Sequence, residues 1–254
     1  MSLGDAQLDI LWPAFLAGLL VAATHVPLGM QVLERGIVFI DLAIAQIAAL
    51  GVILADFMGW GERGLAVQAA AVGAALAGAA LLRWTERRWP EVQEAIIGVA
   101  FVVASSGAIL LLAHNPHGGE SLKDLLSGQI LWVTPPQLGA AALVSLGIGA
   151  VWFLIRRNPG RSGFYGLFAC AVTMSVQLVG LLLVFASLVI PALATHYTRG
   201  HRYAKAYAIA VAGYAAGLLV SLAADLPSGA TVVCALALAG AAAGLAFREA
   251  RPHP

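Results

Sequence analysis

Charge is scarce in this chain. Asp, Glu, Lys and Arg make up 11% of its 254 residues, against about a quarter in an ordinary soluble protein. Hydrophobic residues make up 61%, and mean hydropathy is +0.89. Too few polar side chains remain to coat a globule, and no hydrophilic stretch is long enough to form a soluble domain beside the apolar part. A phosphate-binding Walker A lysine loop, a Gly-rich dinucleotide fingerprint and an HExxH metal motif are all missing, so the chain has no nucleotide site of its own and no metallohydrolase signature. Blocks of like charge are missing too, and the net charge of +1 offers no footprint for nucleic acid. Cysteine is down to Cys170 and Cys234, each alone inside an apolar segment, which reads as two small buried hydrophobes rather than a disulfide or a metal site. The basic n-region of a cleavable signal is absent as well. Asp5 and Asp9 precede the first apolar run, which is therefore expected to stay as a membrane helix.

What fills the chain instead is apolar sequence in membrane-sized lengths. A bilayer's hydrocarbon is about 30 Å thick and takes about 20 apolar residues of helix to cross. Such stretches run near 10–32, 36–58, 64–83, 95–113, 137–155, 164–197, 203–224 and 229–247. Helices are expected rather than a barrel, because no alternation of about ten residues appears and an open strand edge in lipid would leave backbone groups unsatisfied. The expected architecture is thus an all-α polytopic membrane protein, 1–254 forming a single transmembrane domain of eight segments.

Basic residues set the orientation. They cluster at Arg83/Arg87/Arg88, Arg156/Arg157/Arg161, Arg199/Arg202/Lys205 and Arg248/Arg251, and eight plain crossings divide the fourteen of them evenly between the two sides. If 164–197, too long for one straight span, folds back near Gly180 to give nine crossings, twelve fall on the cytoplasmic side and only Arg63 and Lys123 on the other. The broken segment is the preferred reading, with the N-terminus outside and the C-terminus inside; a single long tilted helix would lose the charge bias.

Polar groups at membrane depth need a partner, a cavity or a role. In the second segment Asp41 lies about one and a half turns in and Gln46 deeper, about 140° apart around the helix. Ala43, Ala45, Ala48, Ala49 and Gly51 give the same segment a small-residue face for close helix packing. A structural reading pairs Asp41 with Arg35 and makes Gln46 an interhelical clasp; a functional one puts both on a transport path. In the loop 114–124, His114, His117 and Glu120 at three-residue spacing could serve a borderline metal such as zinc, although Pro116 and Gly118-Gly119 also read as a plain turn before a short interfacial helix. Gln177, Gly180 and Pro191 mark a broken helix that is either a pore wall or a kink. His25, before Pro27, reads as a satisfied structural histidine, and His196 and His201 as solvent-facing.

Five stretches stand out in order: Pro27-Leu28-Gly29 through Arg35 to Gln46-Ile47-Ala48-Ala49-Leu50-Gly51, Glu94-Ala95-Ile96-Ile97-Gly98, Leu122 through Leu131, Ser175 through Thr195, and Asp225-Leu226-Pro227-Ser228-Gly229. Taken together they resemble the membrane-permease subunits of zinc/manganese ABC importers. The resemblance implies a type II ABC-importer-like permease bundle in the bacterial inner membrane, working as a homodimer. It implies a cytoplasmic ATPase that hydrolyses ATP, an extracytoplasmic metal-binding protein, and a transported divalent metal (zinc, manganese or iron) rather than a bound cofactor. Asp41, Gln46, Glu94, Gln177, Gly180 and Pro191 would line the pathway, and Arg87, Arg88, Arg156, Arg157 and Arg161 would meet the ATPase. The chain departs from the family twice. Leu42 and Gln46 stand where an Asp and a His usually face the metal path, and a short basic loop, 156–163, replaces an acidic docking helix, leaving the turn at 85–91 as another coupling element. A stand-alone ion-coupled transporter is the alternative function; an intramembrane enzyme lacks any nucleophile and base, and a structural scaffold would be told apart by purification without an ATPase.

Overall fold

The computed structural model describes residues 3–60, 64–112, 130–155, 161–198 and 200–249. These form nine α-helices, two short 3-10 turns (Pro90–Val92 and Ile130–Trp132) and no strand: α1 Leu3–Arg35, α2 Ile40–Phe57, α3 Leu65–Arg88, α4 Gln93–Leu112, α5 Pro135–Ile155, α6 Arg161–Val179, α7 Leu181–Ala194, α8 Arg202–Ala224 and α9 Ser228–Glu249. Seven are long and apolar enough to cross a membrane. The other two, α6 and α7, occupy the segment expected to be broken, and Gly180 sits between them at φ 85 and ψ 161, a conformation open to glycine.

Helix ends follow local chemistry. α1 continues past its expected end to Arg35 and stops in a Schellman turn, where Gly36 at φ 69 lets the Gly36 N–H reach the Leu33 carbonyl and the Ile37 N–H the Val32 carbonyl. α5 begins two residues earlier than its apolar pattern suggests, because Thr134-Pro135-Pro136-Gln137 is a helix-start signal. Gln137 Oε1 accepts from the Thr134 N–H at 2.9 Å and from its hydroxyl at 2.8 Å, with proline at the first helical position. The α3–α4 corner is latched by Gln93, whose Nε2 donates to the Leu82 carbonyl at 2.8 Å while its Oε1 accepts from Thr85 Oγ1 at 3.0 Å.

Contacts between helix ends show which ends lie together. Arg35 stacks 4.4 Å over the Phe164 ring, Arg202 pairs with Glu34 at 2.8 Å, Lys205 lies 4.6 Å over Phe247, and the Phe39 N–H donates to Glu94 at 3.3 Å. The starts of α2, α4, α6 and α8 and the ends of α1, α3 and α9 therefore share one end of the bundle. Both ends of the 161–194 segment lie there, since Phe164 meets Arg35 and Ala194 leads in a few residues to Arg202. The chain thus enters on α6, reverses at Gly180 and returns on α7. At 1.5 Å per residue α6 rises roughly 28 Å and α7 roughly 21 Å. Every described basic residue (Arg35, Arg83, Arg87, Arg88, Arg161, Arg202, Lys205 and Arg248) belongs to this end, which is the cytoplasmic one by charge bias.

α1 and α2 run through the middle of the bundle, and α4, α5 and α9 are peripheral. Small residues permit the close approaches. A Cβ at Gly51 would stand 2.6 Å from the Ala74 Cβ, one at Gly78 would stand 2.7 Å from Ile47, and one at Gly29 would overlap the Leu188 backbone carbonyl. Of the small residues expected to pack a neighbouring helix on the second segment, Gly51 lies at the α2–α3 seam.

Candidate transport pathway

The polar centre of the bundle is built at the start of α2. Asp41 occupies its first turn and is fully buried; its carboxylate has no side-chain hydrogen-bond partner among the described residues and lies against the backbone N–H groups of Asp41 and Leu42. The expected pairing with Arg35 does not form. Gly36 turns the chain between them, and the Arg35 guanidinium packs on Phe164 instead. The group near Asp41 is another acid: Glu94, in the first turn of α4, is its electrostatic neighbour. Glu94 Oε1 accepts the Phe39 N–H, one of the amides that α2 leaves unpaired at its start, and Oε2 is buried without a partner. Two carboxylates thus converge on the positive end of the α2 dipole, where backbone N–H groups and no basic side chain face them among the described residues. Gln46 lies buried further along α2, and Leu42 beside it is partly buried against the core.

The broken segment is anchored on three sides. Phe185 of α7 stacks on Phe39 with ring centroids 6.1 Å apart and planes 2° apart. Leu188 meets Gly29 of α1 backbone to backbone, and Ser187 Oγ donates to the Leu183 carbonyl at 2.7 Å while sharing a 2.7 Å bond with the Tyr214 hydroxyl of α8. Gly180 and Pro191 are buried, before the start of α7 and in its last turn. Pro191 cannot donate to its helix, and Thr195 Oγ1 donates to the Pro191 carbonyl at 2.8 Å, holding the last turn. Gln177 is exposed on α6, so it does not join Asp41, Gln46 and Glu94 inside one chain.

The remaining candidates separate. Arg87 and Arg88 are exposed at the end of α3, beside Trp89, Glu91 and Val92 of the corner. Arg161 opens α6, whereas Arg156 and Arg157 lie outside the described residues, as do His114, His117 and Glu120. Among the described residues no group of three or more His, Cys, Asp and Glu could hold a metal ion.

Three smaller expectations change. His25 is only half satisfied: its Nδ1 lies 3.0 Å from Thr24 Oγ1 and from the Val21 carbonyl, but Nε2 is buried without a partner. Cys234 is exposed on the peripheral α9 rather than buried. His196 is half-buried against the Tyr197 ring, while His201 is exposed as expected. Sequence reasoning missed Tyr214, Phe39 and Phe185. Their only prior signal was a buried-type aromatic in an apolar run, which any core residue gives.

Solved structures share this arrangement. The chain is similar to "PsaBC from Streptococcus pneumoniae in complex with Fab", with a TM-score of 0.77 at 17% identity, covering 94% of this chain and 93% of that one. It also resembles "An inward-facing conformation of a putative metal-chelate type ABC transporter", with a TM-score of 0.58 at 15% identity over 93% of this chain and 75% of that one. Likenesses at such low identity establish the fold alone, and no curated protein sequence matches. The model of the ABC 3 transport family matches residues 7–159 and 161–244, nearly the whole bundle, and the chain therefore belongs to that family as a multi-pass membrane permease.

Proposed function

We propose that this chain is the membrane-spanning subunit of an ABC importer for divalent metal ions, zinc or manganese. It works as a homodimer in a bacterial inner membrane, driven by ATP hydrolysis on a cytoplasmic ATPase and fed by an extracytoplasmic metal-binding protein. Family membership over residues 7–244 supports the transport class. The observation that carries the substrate reading is the pair of acids at the start of α2. Asp41 and Glu94 meet backbone N–H groups but no basic side chain among the described residues, an arrangement of two neighbouring acids that burial in a membrane penalises unless a cation or proton visits it. Their donors are oxygens, with the Gln46 amide further along the same helix and, among the described residues, no imidazole grouped with them. Hard oxygen donors favour manganese over zinc. The turn bearing Arg87, Arg88 and Glu91 projects from the cytoplasmic end, where a soluble ATPase would dock and alternating access would be driven.

Uptake of radioactive manganese and zinc by cells expressing this permease with its ATPase and binding protein tests the reading. Wild type should accumulate manganese in preference to zinc, and Asp41→Asn and Glu94→Gln, which keep shape and remove charge, should each lower that uptake at unchanged membrane abundance. Uptake at the wild-type rate in both variants would refute a path through the start of α2.

A further inference from the structure

Pro27 stands inside α1, which stays helical across it from Leu3 to Arg35. Proline has no N–H, so the Ala23 carbonyl, four residues earlier, loses its donor within the helix. Ala23 lies roughly 18 Å along α1 from Arg35 at the cytoplasmic end. At that depth in lipid an unanswered carbonyl is costly, and transmembrane prolines are tolerated where a neighbouring helix supplies the missing donor. Here the Tyr207 hydroxyl of α8 supplies it, donating to the Ala23 carbonyl at 3.1 Å. The same stretch is loosened a second time. Thr24 Oγ1 donates to the Val21 carbonyl at 3.1 Å, and His25 Nδ1 lies 3.0 Å from that carbonyl. Side-chain bonds of this kind compete with the helix's own ladder and bend it.

Packing differs on the two sides of this stretch. Towards the outside, a Cβ at Gly18 would overlap the Tyr214 ring of α8. Towards the cytoplasm, one at Gly29 would overlap the Leu188 carbonyl of α7, and the last turn reaches its neighbours through long side chains, Glu34 to Arg202 and Arg35 to Phe164. There is also room to move. Ala23, Thr24, Pro27, Leu28 and Gln31 form the α1 wall of a cleft of about 760 Å³ whose other walls belong to α5, α6 and α8. A bend of about 20° at Pro27, the size at which proline kinks become sharp, would carry Arg35 by roughly 4 Å.

We propose that α1 is jointed at Pro27 and that Tyr207 is the latch on the joint. The segment from Leu28 to Arg35 swings between two settings during transport, taking with it Leu188 of α7 and the 36–39 linker that leads to Asp41. Tyr207 holds the present setting through the carbonyl that proline frees. The purpose of the swing rests on the alternating-access reading above, whereas the joint itself is a property of α1 and can be measured without cargo.

Hydrogen exchange of the permease–ATPase complex in lipid nanodiscs, followed by mass spectrometry of α1 peptides, reads the joint. Tyr207→Phe removes the latch and should speed exchange over 24–30 about threefold, the worth of one interhelical hydrogen bond in a membrane, while leaving 14–20 unchanged. Pro27→Ala gives the Ala23 carbonyl a donor in its own helix, so exchange over 24–30 should slow, and adding Tyr207→Phe should then change little. In cells, Pro27→Ala should lower the maximal rate of manganese uptake at unchanged half-saturating concentration and membrane abundance. If Tyr207→Phe acts as strongly in the Pro27→Ala background as in wild type, there is no latch; if Pro27→Ala transports at the full rate, there is no swing. Either result overturns the proposal. A wild type that takes up no manganese but shows the expected exchange pattern would refute the cargo reading and uphold the joint.

Discussion

The bond between Ser187 and Tyr214 permits a prediction in which the two halves of one contact have unequal worth. Both residues are fully buried and join α7 to α8. The Ser187 hydroxyl proton is committed to the Leu183 carbonyl, so Tyr214 is the donor across the interface. Tyr214→Phe removes that donor but leaves Ser187 bonded to Leu183. Its cost is the net worth of one interhelical hydrogen bond, about 0.6 kcal/mol on average in membranes and up to about 1.7. Ser187→Ala removes the acceptor and strands a phenolic hydroxyl in the core, which costs about 1–3 kcal/mol. The double variant Ser187→Ala/Tyr214→Phe leaves no orphan, so it should be more stable than Ser187→Ala alone, with a coupling of about 1 kcal/mol. Reversible unfolding of the purified permease in mixed micelles, followed by tryptophan fluorescence, measures all three. The reasoning fails if Tyr214→Phe costs more than Ser187→Ala, or if the double variant equals the sum of the singles.

Gly29→Ala should destabilise by about 1–3 kcal/mol, read as a lower melting temperature, because its methyl would overlap the Leu188 backbone carbonyl and push α7 off α1. A reporter domain fused after Gly200 should report a cytoplasmic location; an external signal would contradict the return of α7 to the end that holds Arg202. Gln93→Leu should cost about 0.5–1.5 kcal/mol, detected in the same unfolding assay, since it removes the corner's two Gln93 bonds but leaves the Thr85 hydroxyl donating to the Leu82 carbonyl at 2.9 Å.

The spans were legible because each must be a long apolar run, and the reversal at Gly180 because basic residues cannot be placed consistently without it. The close approach of α3 at Gly51 was legible because tight helix packing has a compositional signature. What escaped depends on groups distant in sequence. Glu94 meets the start of α2 from 55 residues away, and no local pattern announces that contact. Arg35 was a sensible partner for Asp41 by proximity along the chain, but a Schellman turn re-aims the backbone between them. Cys234 looked buried because its run is apolar, yet in a membrane an apolar face is also the one turned outward, and sequence polarity cannot separate the two. Thr134 with Gln137 was readable in principle as a helix start and lay hidden by the two prolines between them.

Residues 36–39 are a four-residue connection between α1 and α2, and more than two helices depend on them. Phe39 is held through its amide by α4 and through its ring by α7, while Ile37 is tied back to α1. A four-residue hinge clamped at three points cannot absorb movement locally. If the α3–α4 corner tilts, the displacement must pass to α7 as a change in the Phe39–Phe185 stack or break the Glu94 bond. The linker is thus the place where a push at the cytoplasmic face and the setting of the re-entrant helix become one coordinate.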